Sequence, residues 1–190
     1  MSGVGVLLLA AGYSRRFGSD KRLARLPASH QRLLEATLTQ ASASGLPVSV
    51  CLRENDDALA ASLPASVGVI TCHRAHEGMG STLAEAMLHA GDRDGVIIAL
   101  ADMPFVRAET YAALAQACLR ERIAVPCHRG RRGNPVAFGA TWFAALRSCH
   151  GDRGARDLLR ANQKAITAVS VDDPGILRDI DRPEDLNAMR

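Results

Sequence analysis

Aromatic residues are scarce in this sequence, one Trp, two Tyr and four Phe among 190 residues, which leaves little material for stacking on single-stranded bases. A surplus of one charge is also missing. Lys and Arg total 23 against 20 Asp and Glu, a net charge of +3, too small for a protein held on nucleic acid by phosphate neutralisation. No nucleic-acid partner is therefore expected. Long apolar runs are absent as well. The N-terminal stretch Val4 to Ala11 has no charged segment before it and is far shorter than the roughly 18 residues of a membrane span. No membrane partner is expected, and the reading is a soluble, cytoplasmic protein. The five cysteines, Cys51, Cys72, Cys118, Cys127 and Cys149, are odd in number and never spaced C-x-x-C. That pattern predicts reduced thiols packed as small hydrophobes rather than disulfides or a structural zinc site. Internal repeats and Gly, Pro or Ser-rich linkers are missing too, so a single domain over residues 1–190 is expected.

The sequence is otherwise that of an ordinary globular chain, 47% hydrophobic and 23% charged. Short aliphatic runs alternate with Ala-rich segments of helical period, the mark of an α/β fold with a mostly parallel sheet and helices on both faces. Strands are expected at Val4 to Ala10, Val48 to Leu52, Val67 to Thr71, Val96 to Ala101, Ile123 to Pro126 and Val136 to Phe138. Several are apolar on both faces, as a sheet covered on each side requires. Helices are expected at Gln31 to Ala43, Ala58 to Leu63, Ser81 to His89, Ala108 to Glu121, Thr141 to Arg147 and Ala155 to Ala161. In the third of these, Leu83, Ala86, Met87 and Ala90 form one apolar stripe. Pro183 opens a short C-terminal helix.

The strongest local signal is the run from Leu9 to Lys21, where an apolar strand ends in a glycine loop that carries Arg15, Arg16 and Lys21. In a parallel sheet that position is the carboxyl edge, where ligands bind. Gly12 lets backbone amides approach an anion, and the cations supply charge and donors for a polyphosphate. Neither the Walker A nor the G-x-G-x-x-G spacing is present; the alternative is a solvated basic turn. Asp102 follows the apolar run Val96 to Leu100 and would reach the same edge, where a hard Mg²⁺ ion takes one or two carboxylates plus phosphate oxygens. It could instead cap the helix that starts near Arg107. Asp179 and Asp181 offer a second carboxylate, or helix-capping acids. The loop Glu77 to Thr82 opens a helix, so Gly80 and Ser81 could hold a base, ribose or phosphate, or serve as an N-cap. The basic stretch from His128 to Pro135 reads as a hairpin facing an anionic small molecule.

These blocks occur in the order found in the MobA-like nucleotidyltransferases, and the chain most resembles their branch of molybdenum cofactor cytidylyltransferases. The resemblance rests on Leu9 to Gly12 with Ser14, Arg16, Gly18 and Lys21; Gly78 to Leu83; Ala101 to Pro104; Gly133 to Val136 with Phe138; Gly151 to Arg156; and Asp179 to Asp185. It implies a three-layer Rossmann-like fold, Mg²⁺ dependence, and transfer of a nucleoside monophosphate from an NTP to a phosphate acceptor with loss of pyrophosphate. Leu9, Ala10, Ala11, Gly12 and Lys21 stand where the family holds the nucleotide, Asp102 where it holds Mg²⁺, with Asp181 as its companion. Arg16 and Lys21 would act on the leaving pyrophosphate. In this branch the NTP is CTP and the acceptor is molybdopterin carrying molybdenum; the product serves xanthine dehydrogenase-type enzymes. A GTP-using or sugar-phosphate relative, and a cofactor carrier that delivers to an apo-molybdoenzyme or its chaperone, are the alternatives. Two departures stand out. Arg22 to Leu34 replaces the usual Gly-x-Pro-Leu-Leu turn, which bears on the base, and Asn134 stands where many relatives have His, which bears on the acceptor.

Overall fold

The fold is given by a computed structural model that describes residues 3–187; residues 1, 2 and 188–190 of the expected domain lie outside the described part. Eight strands, β1 (Val4–Leu9), β2 (Val48–Arg53), β3 (Gly68–Cys72), β4 (Gly95–Leu100), β5 (Ile123–His128), β6 (Arg131–Arg132), β7 (Val136–Gly139) and β8 (Ile166–Ser170), form one sheet. Its order is β3-β2-β1-β4-β7-β5, with β6 and β8 both paired to β5. The pairs β1 with β2, β1 with β4, β2 with β3 and β5 with β8 are parallel, while β7 runs antiparallel between β4 and β5. Helices are α1 (Leu33–Ala43), α2 (Asp57–Ala61), α3 (Met79–Ala86), α4 (Ala108–Ala117), α5 (Phe143–Arg147), α6 (Arg156–Ala161) and α7 (Pro183–Asn187).

The period of two in β1 sorts the core into two layers. Val6, Leu8 and Ala10 pack with Leu34 and Leu38 of α1 and Tyr111 and Leu114 of α4. Leu7, Leu9 and Ala11 face the other way, among Leu83 of α3, Met87 and Phe143 of α5. Burying each large aliphatic side chain contributes roughly 1.5–3 kcal/mol, and a one-residue slip of β1 would exchange the two sets of neighbours, so the register is fixed. The stripe Leu83, Ala86, Met87 and Ala90 is buried as its spacing predicts. A third, smaller cluster of Phe17, Leu26, Leu33, Ala36 and Ile180 lies beside the carboxyl edge and joins the glycine loop to the C-terminal segment.

Several boundaries differ from the expected ones. α1 begins at Leu33 rather than Gln31, because residues 24–33 turn back on themselves: Leu26 N–H donates to Gln31 O, and Leu33 N–H to Ala24 O. α4 stops at Ala117 where Cys118 leaves helical geometry, its sulfur filling the space a side chain at Gly95 would need. β8 was not expected. It is a half-buried strand with Thr, Ala and Ser among its residues, paired along β5, and carries a weak apolar signal.

Candidate active site

The carboxyl ends of β1 and β4 lie side by side, with Leu9 opposite Leu100, and the loops that leave them carry the charged groups. After Ala11 the chain turns at Ser14 (φ 52°). Phe17 N–H donates to Ser14 O, and the Phe17 ring is buried in the third cluster. That anchor leaves Arg15 and Arg16 exposed and brings Lys21 inward, its N–H donating to Ser14 Oγ at 3.3 Å. At Gly12 no atom lies within 4 Å of where a Cβ would stand, so a ligand meets bare backbone there.

Lys21 is the hub of the site. Its Nζ donates to Asp102 Oδ2 at 2.5 Å, to Ile180 O at 3.1 Å and to Asp181 Oδ1 at 3.4 Å. Arg16 Nη1 reaches the other oxygen, Asp181 Oδ2, at 3.2 Å. The Asp181 segment is docked by Ile180, fully buried in the third cluster, whose N–H donates to Asp102 O at 2.9 Å. Asp185 accepts from the N–H groups of Asp181 and Arg182, which caps α7 and holds its own carboxyl below the usual value. Asp102 behaves oppositely: burial raises its carboxyl above the ordinary value, against the opposing pull of Lys21. Its Oδ1 is buried with no hydrogen-bond partner among the described residues.

A cation fits that unsatisfied oxygen. Among the described residues no cluster of three or more His, Cys, Asp or Glu is placed to hold a metal. Mg²⁺, however, usually takes only one or two carboxylates and completes its shell with phosphate oxygens and water. Asp102 and Asp181 supply that number of hard oxygen donors on the two sides of Lys21.

The cleft has a volume of about 420 Å³ and is lined by the glycine loop, Lys21, Asp102 and Asp181 on one side and by Ala75 to Met79, Thr82 and Asp152 on the other. Two loops interlock to make the second wall. Gly80 N–H donates to Gly151 O at 2.6 Å, and a Cβ on Gly78 (φ 116°) would collide with Asp152 and the Gly151 backbone. Only glycine allows that approach. Glu77 is fixed by Arg74 and by the Ser81 hydroxyl, which lower its carboxyl from the ordinary value, Arg74 most strongly.

The structure thus brings Leu9, Ala10, Ala11, Gly12, Arg16, Lys21, Asp102 and Asp181 to one cleft. It does not bring Gly80 and Ser81 there: Ser81 is 0% exposed with its hydroxyl on Glu77, and Gly80 is packed against His150. Gly78, Met79 and Thr82 of the same loop line the cleft in their place. Asp181 rather than Asp179 reaches Lys21. Asp102 does not cap α4; Asp173 does, accepting from Arg107 N–H at 2.8 Å and Thr110 Oγ1 at 2.7 Å. The Arg131–Arg132 hairpin pairs with Cys127 and His128 and is not part of the cleft lining. Sequence reasoning missed Tyr13, Arg22 and Asp152, of which Asp152 lies in a block that the family resemblance had singled out.

Residues 6–166 match the model of the MobA-like NTP transferase domain. The chain is similar to the purine catabolism protein PucB of Bacillus subtilis, 31% identical over 97% of this chain and 94% of that protein. It is also similar to the nicotine blue oxidoreductase of Paenarthrobacter nicotinovorans, 26% identical over 95% and 93%. Among solved structures, Rv0371c from Mycobacterium tuberculosis superposes with a TM-score of 0.86 at 25% identity, covering 98% of this chain and 96% of that one. The same protein crystallised with manganese gives a TM-score of 0.80 at 23% identity, over 98% and 97%. No helix of the described residues is long and apolar enough to cross a membrane. With its glycine loop, its Lys21 hub and a family match over most of its length, the chain belongs to the MobA-like NTP transferase family and is a nucleotidyltransferase.

Proposed function

We propose that residues 1–190 form a single Mg²⁺-dependent domain that transfers CMP from CTP to the terminal phosphate of molybdenum-bearing molybdopterin, releasing pyrophosphate. The observation that carries transfer rather than passive carriage is the Lys21 centre, a cation between two carboxylates with one buried oxygen left unsatisfied. Support for this acceptor comes from the six blocks shared with the cytidylyltransferase branch. The Bacillus relative is a purine catabolism protein, and that branch makes a cofactor for xanthine dehydrogenase-type enzymes, xanthine itself being a purine. The presence together of Lys21, Asp102 and Asp181 argues against a carrier that only hands cofactor to an apo-molybdoenzyme or its chaperone.

A phosphate monoester is largely dianionic near pH 7, its second pKa being about 6, so the acceptor needs no general base. One of its oxygens forms a bond to the α-phosphorus of CTP as the bond from that phosphorus to the β-bridging oxygen breaks in line, and the electron pair leaves with pyrophosphate. Catalysis then rests on positioning and charge. The amides around Gly12 and the side chains of Arg16 and Lys21 bind and orient the triphosphate and neutralise the leaving group. Asp102 and Asp181 would hold Mg²⁺, which when bound supplies positive charge at the α-phosphate. A divalent ion here is in keeping with the manganese complex of Rv0371c.

Calorimetric titration with CTP, GTP, ATP and UTP, each with excess Mg²⁺, tests the reading. Tightest binding of CTP, followed by pyrophosphate release on adding molybdopterin, is expected. A preference for GTP would move the chain to the guanylyltransferase branch, and binding of no nucleotide would overturn the proposal.

A further inference from the structure

Tyr13 has no role in the mechanism above, yet its setting is elaborate. It is the only exposed aromatic among the described residues, 49% exposed, and it lines the cleft directly after Gly12. The guanidinium of Arg53, at the end of β2, lies over the ring with its central carbon 5.0 Å from the centroid. One ring face is therefore covered by a cation, and the half-exposed residue is part of the cleft wall.

Arg53 is itself immobilised. Its Nη2 donates to Asp20 Oδ2 at 3.1 Å and Asp56 Oδ1 at 3.3 Å. The same two carboxylates clamp Arg22, which is only 3% exposed. Arg22 Nε and Nη2 donate to Asp20 at 2.8 and 2.6 Å, Nη1 and Nη2 to Asp56 at 2.5 and 2.8 Å, and Nη1 to Ala10 O at 2.9 Å. Five bonds match the five donors of a guanidinium. Two arginines and two aspartates thus form a charge-balanced frame that ties the exit of β1 to the exit of β2. Of its four members, Arg22 opens the segment Arg22 to Leu34, where the sequence departs from the usual turn of the family it resembles.

The cleft is polarised along its length. Lys21, Arg16 and the Asp102–Asp181 pair mark the phosphate end, while Tyr13, toward β2, offers a flat apolar face. We infer that Tyr13 is the stacking platform for the nucleobase, seated by Arg53, and that Arg22 is a positioning residue that fixes both through Asp20 and Asp56. This inference rests on the nucleotidyl-transfer reading and adds to it the residue that receives the base.

Stacking and loop structure are separated by a ligand without a base. Affinities for Mg-CTP, Mg-GTP and Mg-tripolyphosphate are compared in wild type, Tyr13→Ala, Tyr13→Leu and Tyr13→Phe, with thermal melting to verify folding. Base-to-aromatic stacking corresponds to about a 5- to 100-fold change in affinity. Tyr13→Ala and Tyr13→Leu are expected to lose nucleotide affinity by that factor with tripolyphosphate binding unchanged, KM for the NTP to rise more than kcat falls, and Tyr13→Phe to restore both. Equal losses for nucleotide and tripolyphosphate, or undiminished nucleotide affinity in Tyr13→Ala and Tyr13→Leu, would overturn the platform. Failure of wild type to bind either ligand would instead overturn the nucleotidyl-transfer reading, and the platform with it.

Discussion

Lys21 and Arg22 are consecutive basic residues, each placed between two aspartates, and they sit in different physical regimes. Around Arg22 every donor has a partner and both carboxylates are shared with a second arginine. Around Lys21 the account does not close: Asp102 Oδ1 is buried without a partner among the described residues, and Asp181 is half-exposed in the cleft lining. A satisfied buried ion cluster resists change, whereas an unsatisfied one at the mouth of a cavity is poised to take a ligand. Completeness of hydrogen bonding, more than charge or burial, separates the frame from the proposed reaction centre.

The comparison breaks most sharply on activity. Asp102→Asn removes the negative charge and replaces one of the two carboxylate oxygens by an NH2 that cannot ligate a metal, and is expected to lower turnover by roughly a thousandfold, with a melting temperature near that of wild type. Turnover close to wild type with saturating Mg²⁺ would return Asp102 to a structural role. Next in size is the stability of the frame. Arg22→Met leaves two carboxylates with Arg53 as their one guanidinium, a cluster short of one positive charge, and is expected to cost about 3–5 kcal/mol, or roughly 10 °C in melting temperature for a chain of this length, read by circular dichroism. Lys21→Met should cost much less, because Asp102, already reluctant to ionise, can take up a proton, while triphosphate affinity falls. Equal destabilisation by the two substitutions would erase the distinction.

The smallest effect is the dependence on pH. Burial raises the folded-state pKa of Asp102 above its unfolded value, so in the window between the two the native state binds more protons. The contribution of this group to stability therefore grows as pH falls through that window. Metal affinity moves the other way, since protons and Mg²⁺ compete for the same carboxylate. An acid limb of kcat/KM displaced upward from the ordinary aspartate value is expected, shifted to lower pH by added Mg²⁺, without a parallel loss of melting temperature. An acid limb that follows unfolding and ignores Mg²⁺ would detach it from Asp102.

Much of this was legible along the chain. Alternation of aliphatic strands and Ala-rich helices predicted the layers, and the stripe Leu83, Ala86, Met87 and Ala90 predicted which face of α3 is buried. Lys21 and Asp102 were found because each directly follows or ends a distinct local pattern. What failed was local chemistry with more than one outlet. Ser81 before an apolar run reads equally as a ligand-binding hydroxyl or as an N-cap; in the structure its hydroxyl donates to Glu77 instead. Asp102 reads as an acid that could cap the helix near Arg107; the aspartate that does so, Asp173, lies 66 residues from Arg107, a distance no helix-start pattern spans. The frame around Arg22 was hidden because its aspartates, at 20 and 56, sit on different loops.

The amino-acid sequence by itself determined the α/β class, the glycine loop at the end of β1 and the carboxylate at the end of β4, since each follows from short-range periodicity and strand ends. Only the tertiary structure decided which charges meet. It brought Asp181 rather than Asp179 to Lys21, turned Gly80 and Ser81 away from the cleft, and closed Arg22 into a frame while leaving Asp102 open. Those outcomes depend on contacts between segments far apart in the chain, where the free energy of burying a charge is fixed by the full set of its neighbours.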